Sequence, residues 1–92
     1  MQTETKTGLE WGELWSAMDA AQTEWHPTTE GMFLEMLECV PPLAMAGGAF
    51  LVGEATRHNE QGEAVYACFS SRFGLMARYM TLREFNAWKA FR

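Results

Sequence analysis

The spacing of hydrophobic residues predicts a helix near the start of the chain. Hydrophobic side chains recur at three- and four-residue steps, which places them on one face of a helix. The recurring residues are Trp11, Leu14, Trp15, Met18, Ala21 and, at the far end, Trp25. Thr7 and Glu10 have the Thr-x-x-Glu spacing of a capping box, so the helix is expected over 9–22. Proline disfavours the α conformation in the residue before it, so His26-Pro27 is expected to end this helix.

A second, shorter helix is predicted to end at about Cys39, and either Thr28 or Thr29 can cap its start. Its hydrophobic side carries Met32, Phe33, Met36, Leu37 and Val40. The two prolines that follow Val40 end the helix. Residues 43–48 are then expected to form a loop, whose paired glycines permit unusual backbone angles or a close approach.

From residue 49 onward, short apolar runs bounded by glycine and other turn residues are typical of β-strands. Runs at 49–53 and 64–69 predict a hairpin. The segment 59–62 between them is typical of a type I turn that closes on a left-handed glycine, Gly62. A third strand is expected over 75–80, paired with the second.

Thr81 and Glu84 repeat the capping-box spacing and begin a last helix. Its apolar side carries Leu82, Phe85, Trp88 and Phe91. The predicted order of elements is therefore ααβββα. A three-stranded antiparallel sheet with helices over one face would bury the tryptophans of the first helix, so the expected fold class is α+β with two layers. The length suits a single domain, residues 1–92, in which 1–7 are expected to be flexible.

The composition is that of a folded globular chain, with 48% hydrophobic and 21% charged residues. Two cysteines, Cys39 and Cys68, are too few for a disulfide framework and are expected to be reduced core thiols. The polar start lacks the apolar region of a signal peptide, and no apolar run approaches the roughly 18 residues of a membrane span. A cytoplasmic protein with no membrane partner is expected.

The net charge of −5 is divided unevenly along the chain. Residues 1–48 hold eight acidic residues and one basic residue, whereas residues 49–92 hold six basic and four acidic residues. An acidic half repels phosphate backbones and attracts basic protein surfaces. The sequence therefore predicts a protein partner with a basic surface and no direct binding of nucleic acid.

Candidates for catalytic chemistry are weak. A reactive thiolate needs a nearby base, and Cys68 with His58 is the best pair, but Cys68 lies in an apolar strand where a thiol normally serves packing. Glu54 follows a glycine at a strand end and is the best single carboxylate for acid–base work. A strand-end glutamate is more often solvated or paired with an arginine, such as Arg57 or Arg78. We therefore predict no enzyme activity.

No cofactor or metal site is predicted. The possible metal ligands His26, Cys39, His58 and Cys68 lie on different elements, without the spacing of a metal-binding motif. Gly47-Gly48 precedes a strand, whereas a phosphate-binding loop needs a strand before it and a helix after it.

Acidic residues of the first two helices are the remaining candidate site. They are Glu10, Glu13, Glu35 and Glu38. Glutamates at solvent-facing helix positions can serve solubility alone, and that alternative stays open. The excess of acidic over basic residues is larger than pairing within helices requires. These residues are therefore expected to form a docking face for a basic protein, or a mimic of a nucleic-acid backbone.

A series of motifs lies between positions 32 and 85. It comprises Met36, Leu37, Val40, Pro41, Pro42, the segment 48–54, His58, Gly62, the segment 65–69, Thr81, Glu84 and Phe85. In these motifs the chain resembles a small family of uncharacterised domains typical of plasmids and prophages. The resemblance implies a mobile-element setting, in which small acidic proteins without catalytic motifs often inhibit host defence, including CRISPR and restriction systems.

Three functional hypotheses follow. The leading one is a non-enzymatic interaction protein, most concretely an anti-CRISPR-like inhibitor that covers a basic nucleic-acid-binding surface of a CRISPR effector or another defence complex. The second is a small-ligand-binding or regulatory module that uses the sheet and the loop 41–48, with an apolar pocket beside Glu54. The third is a small enzyme that uses Cys68 and His58.

Overall fold

A computed structural model of the chain describes residues 11–90, which form three helices and a six-stranded antiparallel sheet. The helices are α1 (Trp11–Ala20), α2 (Glu30–Cys39) and α3 (Leu82–Lys89). The strands are β1 (His26–Pro27), β2 (Pro42–Ala46), β3 (Ala49–Val52), β4 (Arg57–His58), β5 (Ala64–Ser70) and β6 (Met76–Thr81). The strand order is β1-β6-β5-β3-β2, and β4 pairs with β5. The predicted α+β class is confirmed.

The sheet is wider than the three strands predicted, so that prediction is wrong. Residues expected to form the loop 43–48 instead form most of β2 and a two-residue turn to β3, in which Ala46 pairs with Ala49. Gly48 in this turn has a φ of 85°, which glycine adopts without steric cost. Proline is tolerated at the first residue of an edge strand, and this explains why Pro42 begins β2 and does not prevent it.

Helices cover both faces of the sheet, so the predicted two-layer arrangement is also wrong. α1 and α2 pack on the face that holds Phe50 and Phe69, whereas α3 packs on the opposite face against Leu51 and Cys68. Successive side chains of a strand point to opposite faces. Because every residue of β3 is buried, both of its faces are apolar and both require cover. A three-layer arrangement follows from that burial pattern.

Trp25 lies on the opposite face from the one that helical spacing predicted. α1 ends at Ala20, and the turn that follows carries the chain to β1 at the edge of the sheet. Trp25 packs beside Trp88 of α3, with ring centroids 5.5 Å apart. Leu14 and Met18 lie on the sheet-facing side of α1 and are buried, as predicted. The helical spacing therefore predicts the buried residues of α1 correctly. Its extension to Trp25, past the end of the helix, is wrong.

The predicted caps of α2 and α3 and the predicted turn at Gly62 are confirmed. The Thr29 side chain accepts a hydrogen bond from the Met32 backbone N–H and caps α2. Thr81 and Glu84 form both hydrogen bonds of the predicted capping box of α3. Gly62 closes its turn with a φ of 83°. The box predicted at Thr7 and Glu10, like Phe91, lies outside the described residues.

We expect Gly53→Ala to destabilise the fold by about 1–3 kcal/mol, because a Cβ at this position would collide with the backbone carbonyl oxygen of Pro41. Gly12→Ala is the matched control. No atom lies within 4 Å of a Cβ at Gly12, and alanine favours helix, so this variant should be as stable as the parent or more so. Urea unfolding of the two variants measures the difference in their free energies of unfolding. Equal values would contradict the close approach of Gly53 to the Pro41 carbonyl group.

Candidate protein-interaction site

The solvent-facing side of α2 carries a hydrophobic residue among acids. The cap at Thr29 begins the helix so that Met32 is buried against the sheet. Leu34, on the outer side, is 47% exposed. Glu30 and Glu38, four residues before and after it, are also exposed. Residues four apart are neighbours on a helix, so Leu34 is flanked by acidic side chains.

A groove of about 260 Å³ lies between α2 and the β2–β3 hairpin. Its lining comprises Phe33, Leu37, Met45, Ala46, Gly47, Gly48, Ala49, Phe50 and Ser71. Met45 and Leu43 of β2 are 63% and 44% exposed. β2 is the last strand on its side of the sheet, and no strand within residues 11–90 pairs with its outer edge. The groove is therefore bordered by exposed apolar side chains and by backbone groups that can pair with another chain.

These features form one surface, which we call the α2–β2 face. It consists of the apolar residues Phe33, Leu34, Leu37, Leu43 and Met45 and the exposed acidic residues of α2, which are Glu30, Glu38 and, at the border with α1, Glu35. Leu34 and Leu37 are neighbours on α2 because they are three residues apart. They connect the exposed side of the helix with the groove.

Three of the four acidic residues predicted as a docking face lie within the described residues. Glu13 of α1 and Glu35 and Glu38 of α2 are exposed, whereas Glu10 lies outside. The indole N–H of Trp11 donates a hydrogen bond to Oε1 of Glu35, with a distance of 3.4 Å between the two atoms. This contact joins the start of α1 to α2, so the acidic residues of the two helices belong to one layer.

Exposed acidic residues are concentrated on one side of the sheet, where Arg57 pairs with one of them, Asp19. The layer of α1 and α2 holds the exposed acidic residues Glu13, Asp19, Glu30, Glu35 and Glu38. The opposite side holds Arg72, Arg78 and Lys89, each of which has its charged group within about 6 Å of the centre of an aromatic ring of that face. The uneven charge of the two halves of the sequence therefore becomes a difference between two faces.

The structure does not bring Cys68 and His58 together. His58 of β4 is exposed and pairs with Ala64, four residues before Cys68 on β5, which is about 13 Å along the strand. Cys68 is fully buried. Burial raises the pKa of the Cys68 thiol to about 12, although Arg78 and Arg72 act in the opposite direction. The thiol is therefore protonated at neutral pH and is not activated as a nucleophile.

In the native protein, we expect iodoacetamide to alkylate Cys39 and to leave Cys68 unmodified. Cys39 is exposed, whereas Cys68 is buried and has a raised pKa. Mass spectrometry of the intact protein should show one modification, and Cys39→Ser should show none. Both cysteines should react in urea. Rapid modification of Cys68 under native conditions would mean that β5 opens to solvent.

The other predicted ligands and carboxylates also remain apart. Within residues 11–90, no three His, Cys, Asp or Glu side chains are placed to hold a metal ion. Glu54 follows the end of β3 that lies away from Gly48, so it does not border the groove. Its expected partner Arg57 instead forms an ion pair with Asp19, with 3.3 Å between Nη1 and Oδ1.

Sequence reasoning did not identify Leu34, Leu43 and Met45 as part of a site. Leu34 had a usable signal, since it lies on the polar side of α2 between two acids four residues away. The exposure of Leu43 and Met45 depends on the formation of β2 at the sheet edge, and the predicted loop gave no reason to expect that strand.

Comparisons with models of protein families, with curated proteins and with solved structures found no match for this chain. The resemblance to plasmid and prophage domains accordingly stays a prediction. None of the helices described within residues 11–90 has the length and apolar character needed to cross a membrane.

Proposed function

We propose that this chain is a non-enzymatic interaction protein that binds a basic protein surface through its α2–β2 face. The observation that carries the proposal is the exposure of Leu34, Leu43 and Met45 beside a groove and among acidic side chains. Protein interfaces combine an apolar centre with a polar rim, and a few central side chains provide most of the binding energy. The α2–β2 face has this composition.

The two kinds of side chain have different roles in this proposal. Glu30, Glu35 and Glu38 attract a basic partner over several ångströms and orient it during encounter. Leu34 and Met45 then contribute apolar surface, which is removed from water when the complex forms. Screening by salt weakens the first contribution more than the second.

In its most concrete form, the proposal is a mobile-element anti-defence protein. The partner is then a CRISPR effector or another defence complex, and the acidic face occupies a surface that otherwise receives nucleic acid. Two things support this form: the resemblance of residues 32–85 to plasmid and prophage domains, and the acidic charge of the α1 and α2 layer. Carboxylates in this layer take the place of phosphates against a basic surface.

Site-specific photocrosslinking in the native host tests the proposal. A benzophenone amino acid replaces Leu34 in one variant and Leu82 in the other. Leu82 is a matched control, because it is 40% exposed and lies on α3, on the other side of the sheet. We expect a specific adduct from position 34, whose yield falls in about 0.5 M salt because charges are then screened within about 4 Å. An adduct from position 82 alone would refute the proposal.

A further inference from the structure

The sheet face covered by α3 holds a second group of residues, which we call the Arg–Trp cluster. It consists of Trp25, Arg72, Phe73, Met76, Arg78 and Trp88. α3 is only eight residues long, so it covers only part of this face. Trp25 and Trp88 are half-buried, and Phe73 is 80% exposed. The cluster is therefore open to solvent on one side.

Two arginines are held against the two indoles. The guanidinium carbon of Arg72 lies 4.5 Å from the centre of the Trp88 ring, and that of Arg78 lies 5.8 Å from the centre of the Trp25 ring. The two indoles contact each other, with 5.5 Å between their centroids. Stacking of this kind limits the motion of a guanidinium group and leaves its edge available for hydrogen bonds.

The Nε–H groups of the two arginines bind backbone carbonyl groups. Each uses its Nε–H for a backbone carbonyl: Arg72 donates to Gly47 and Arg78 to Tyr79, both at 3.1 Å. No carboxylate within residues 11–90 pairs with either, although the chain has twelve acidic and seven basic residues. No carboxylate of this part of the chain occupies their terminal nitrogens, and a guanidinium group binds a carboxylate through two parallel hydrogen bonds.

A cavity of about 40 Å³ is bordered by the two indoles that these arginines contact. Trp25, Ser70, Phe73, Gly74, Met76 and Trp88 line it. The lining is mostly aromatic and aliphatic, and the volume suits a group of a few carbon atoms, since about 10–15 Å³ on this measure already holds one water molecule. One face of each indole already holds a guanidinium group, and this positive charge disfavours a cationic ligand beside it. The cluster thus combines a small apolar cavity with two guanidinium groups that form no ion pair with the residues at positions 11–90.

We propose that the Arg–Trp cluster binds a short, branched aliphatic carboxylate. The apolar group enters the cavity, Arg72 binds the carboxylate, and Arg78 adds a second positive charge beside it. This chemistry occurs in free short-chain acids and at the C-terminus of a peptide that ends in leucine. The cavity lies on the opposite side of the sheet from the α2–β2 groove, and Arg72 reaches Gly47 at the end of that groove. The proposal uses none of the residues that define the α2–β2 face, so it does not depend on the proposed function.

NMR titration of the indole N–H signals tests this proposal with defined probes. The probes are 4-methylpentanoate for the free acid and N-acetyl-Gly-Gly-Leu for the peptide C-terminus, and the stronger binder identifies the source. We expect a dissociation constant on the order of 1 mM for the better probe. Its addition should shift the Trp25 and Trp88 signals, while the Trp11 and Trp15 signals stay in place because these residues lie on the other face.

Controls separate a specific site from weak apolar contact. Arg72→Gln should weaken binding of the better probe by about tenfold, and Arg78→Gln should weaken it less. Arg83→Gln removes the same charge from a residue that pairs with Glu63, away from the cavity, and should have no effect. The uncharged 4-methylpentanamide should bind much more weakly than the acid. Equal binding of acid and amide, or no shift of either indole by tens of millimolar probe, would overturn the proposal.

Discussion

Replacement of Phe69 by alanine should lower the free energy of unfolding by about 3–5 kcal/mol. Phe69 is fully buried in β5 and lies 5.8 Å from Phe50, measured between stacked ring centroids. Its ring also meets the rings of Trp11 and Trp15 edge to face. The substitution therefore leaves a cavity between the sheet and α1. Small domains have only about 5–15 kcal/mol of stability, so this variant should be close to unfolding at room temperature.

The control for this prediction is Phe73→Ala. The chemical change is the same, but Phe73 is 80% exposed, so the expected change in stability is within about 0.5 kcal/mol. Urea unfolding followed by circular dichroism measures both variants. A loss of less than about 1 kcal/mol for Phe69→Ala would contradict a core centred between β5 and α1.

Reversal of two charges on α2 should have the largest effect on partner binding. We expect Glu35→Lys with Glu38→Lys to weaken the complex with the protein captured at position 34 by at least about tenfold near physiological salt. The two lysines would repel the basic surface that the glutamates attract. The difference from the parent protein should shrink as salt rises, because screening removes repulsion and attraction alike.

Glu54→Lys with Glu60→Lys provides the matched control. It changes the net charge by the same amount, but at exposed positions in the connection between β3 and β5. Its affinity should stay within about threefold of the parent protein. Surface plasmon resonance over a series of salt concentrations measures both variants, and circular dichroism confirms that each is folded. Equal losses in the two variants would indicate a dependence on net charge alone, without the α2–β2 face.

Features of the fold that depend on neighbouring residues could be predicted from the sequence. The caps at Thr29 and Thr81 and the turn at Gly62 each satisfy backbone groups within a few residues, so their signals are local. β2 could not be predicted in this way. Its segment begins at a proline and ends at two glycines, and it becomes a strand because β3 supplies its hydrogen-bonding partner.

The placement of Trp25 and α3 required tertiary information. Helical spacing continues from Met18 through Ala21 to Trp25, yet α1 ends at Ala20 and the chain then reaches the other face of the sheet. Local sequence does not specify which face a terminal helix covers. The choice depends on both faces of β3 and β5 being apolar.

The sequence predicted the acidic residues of the candidate site but not its apolar residues. The acidic residues Glu13, Glu35 and Glu38 are exposed, as their helical positions predicted. The apolar centre at Leu34 and Met45 emerges only when β2 is placed beside α2 at the edge of the sheet. The Arg–Trp cluster likewise joins residues from three separate parts of the chain. Its members gain a common environment only through the pairing of β5 with β6 and the position of α3.

Hydrogen exchange of the complex is the most direct test of where the partner binds. The partner is the protein captured by photocrosslinking, and exchange is compared between the free and bound chain. Binding to the α2–β2 face predicts slower exchange of the backbone amides in Glu30–Cys39 and Pro42–Ala46, and unchanged exchange in Leu82–Lys89. Slower exchange in Leu82–Lys89 with no change in Glu30–Cys39 would place the partner on the opposite side of the sheet and contradict binding through the α2–β2 face.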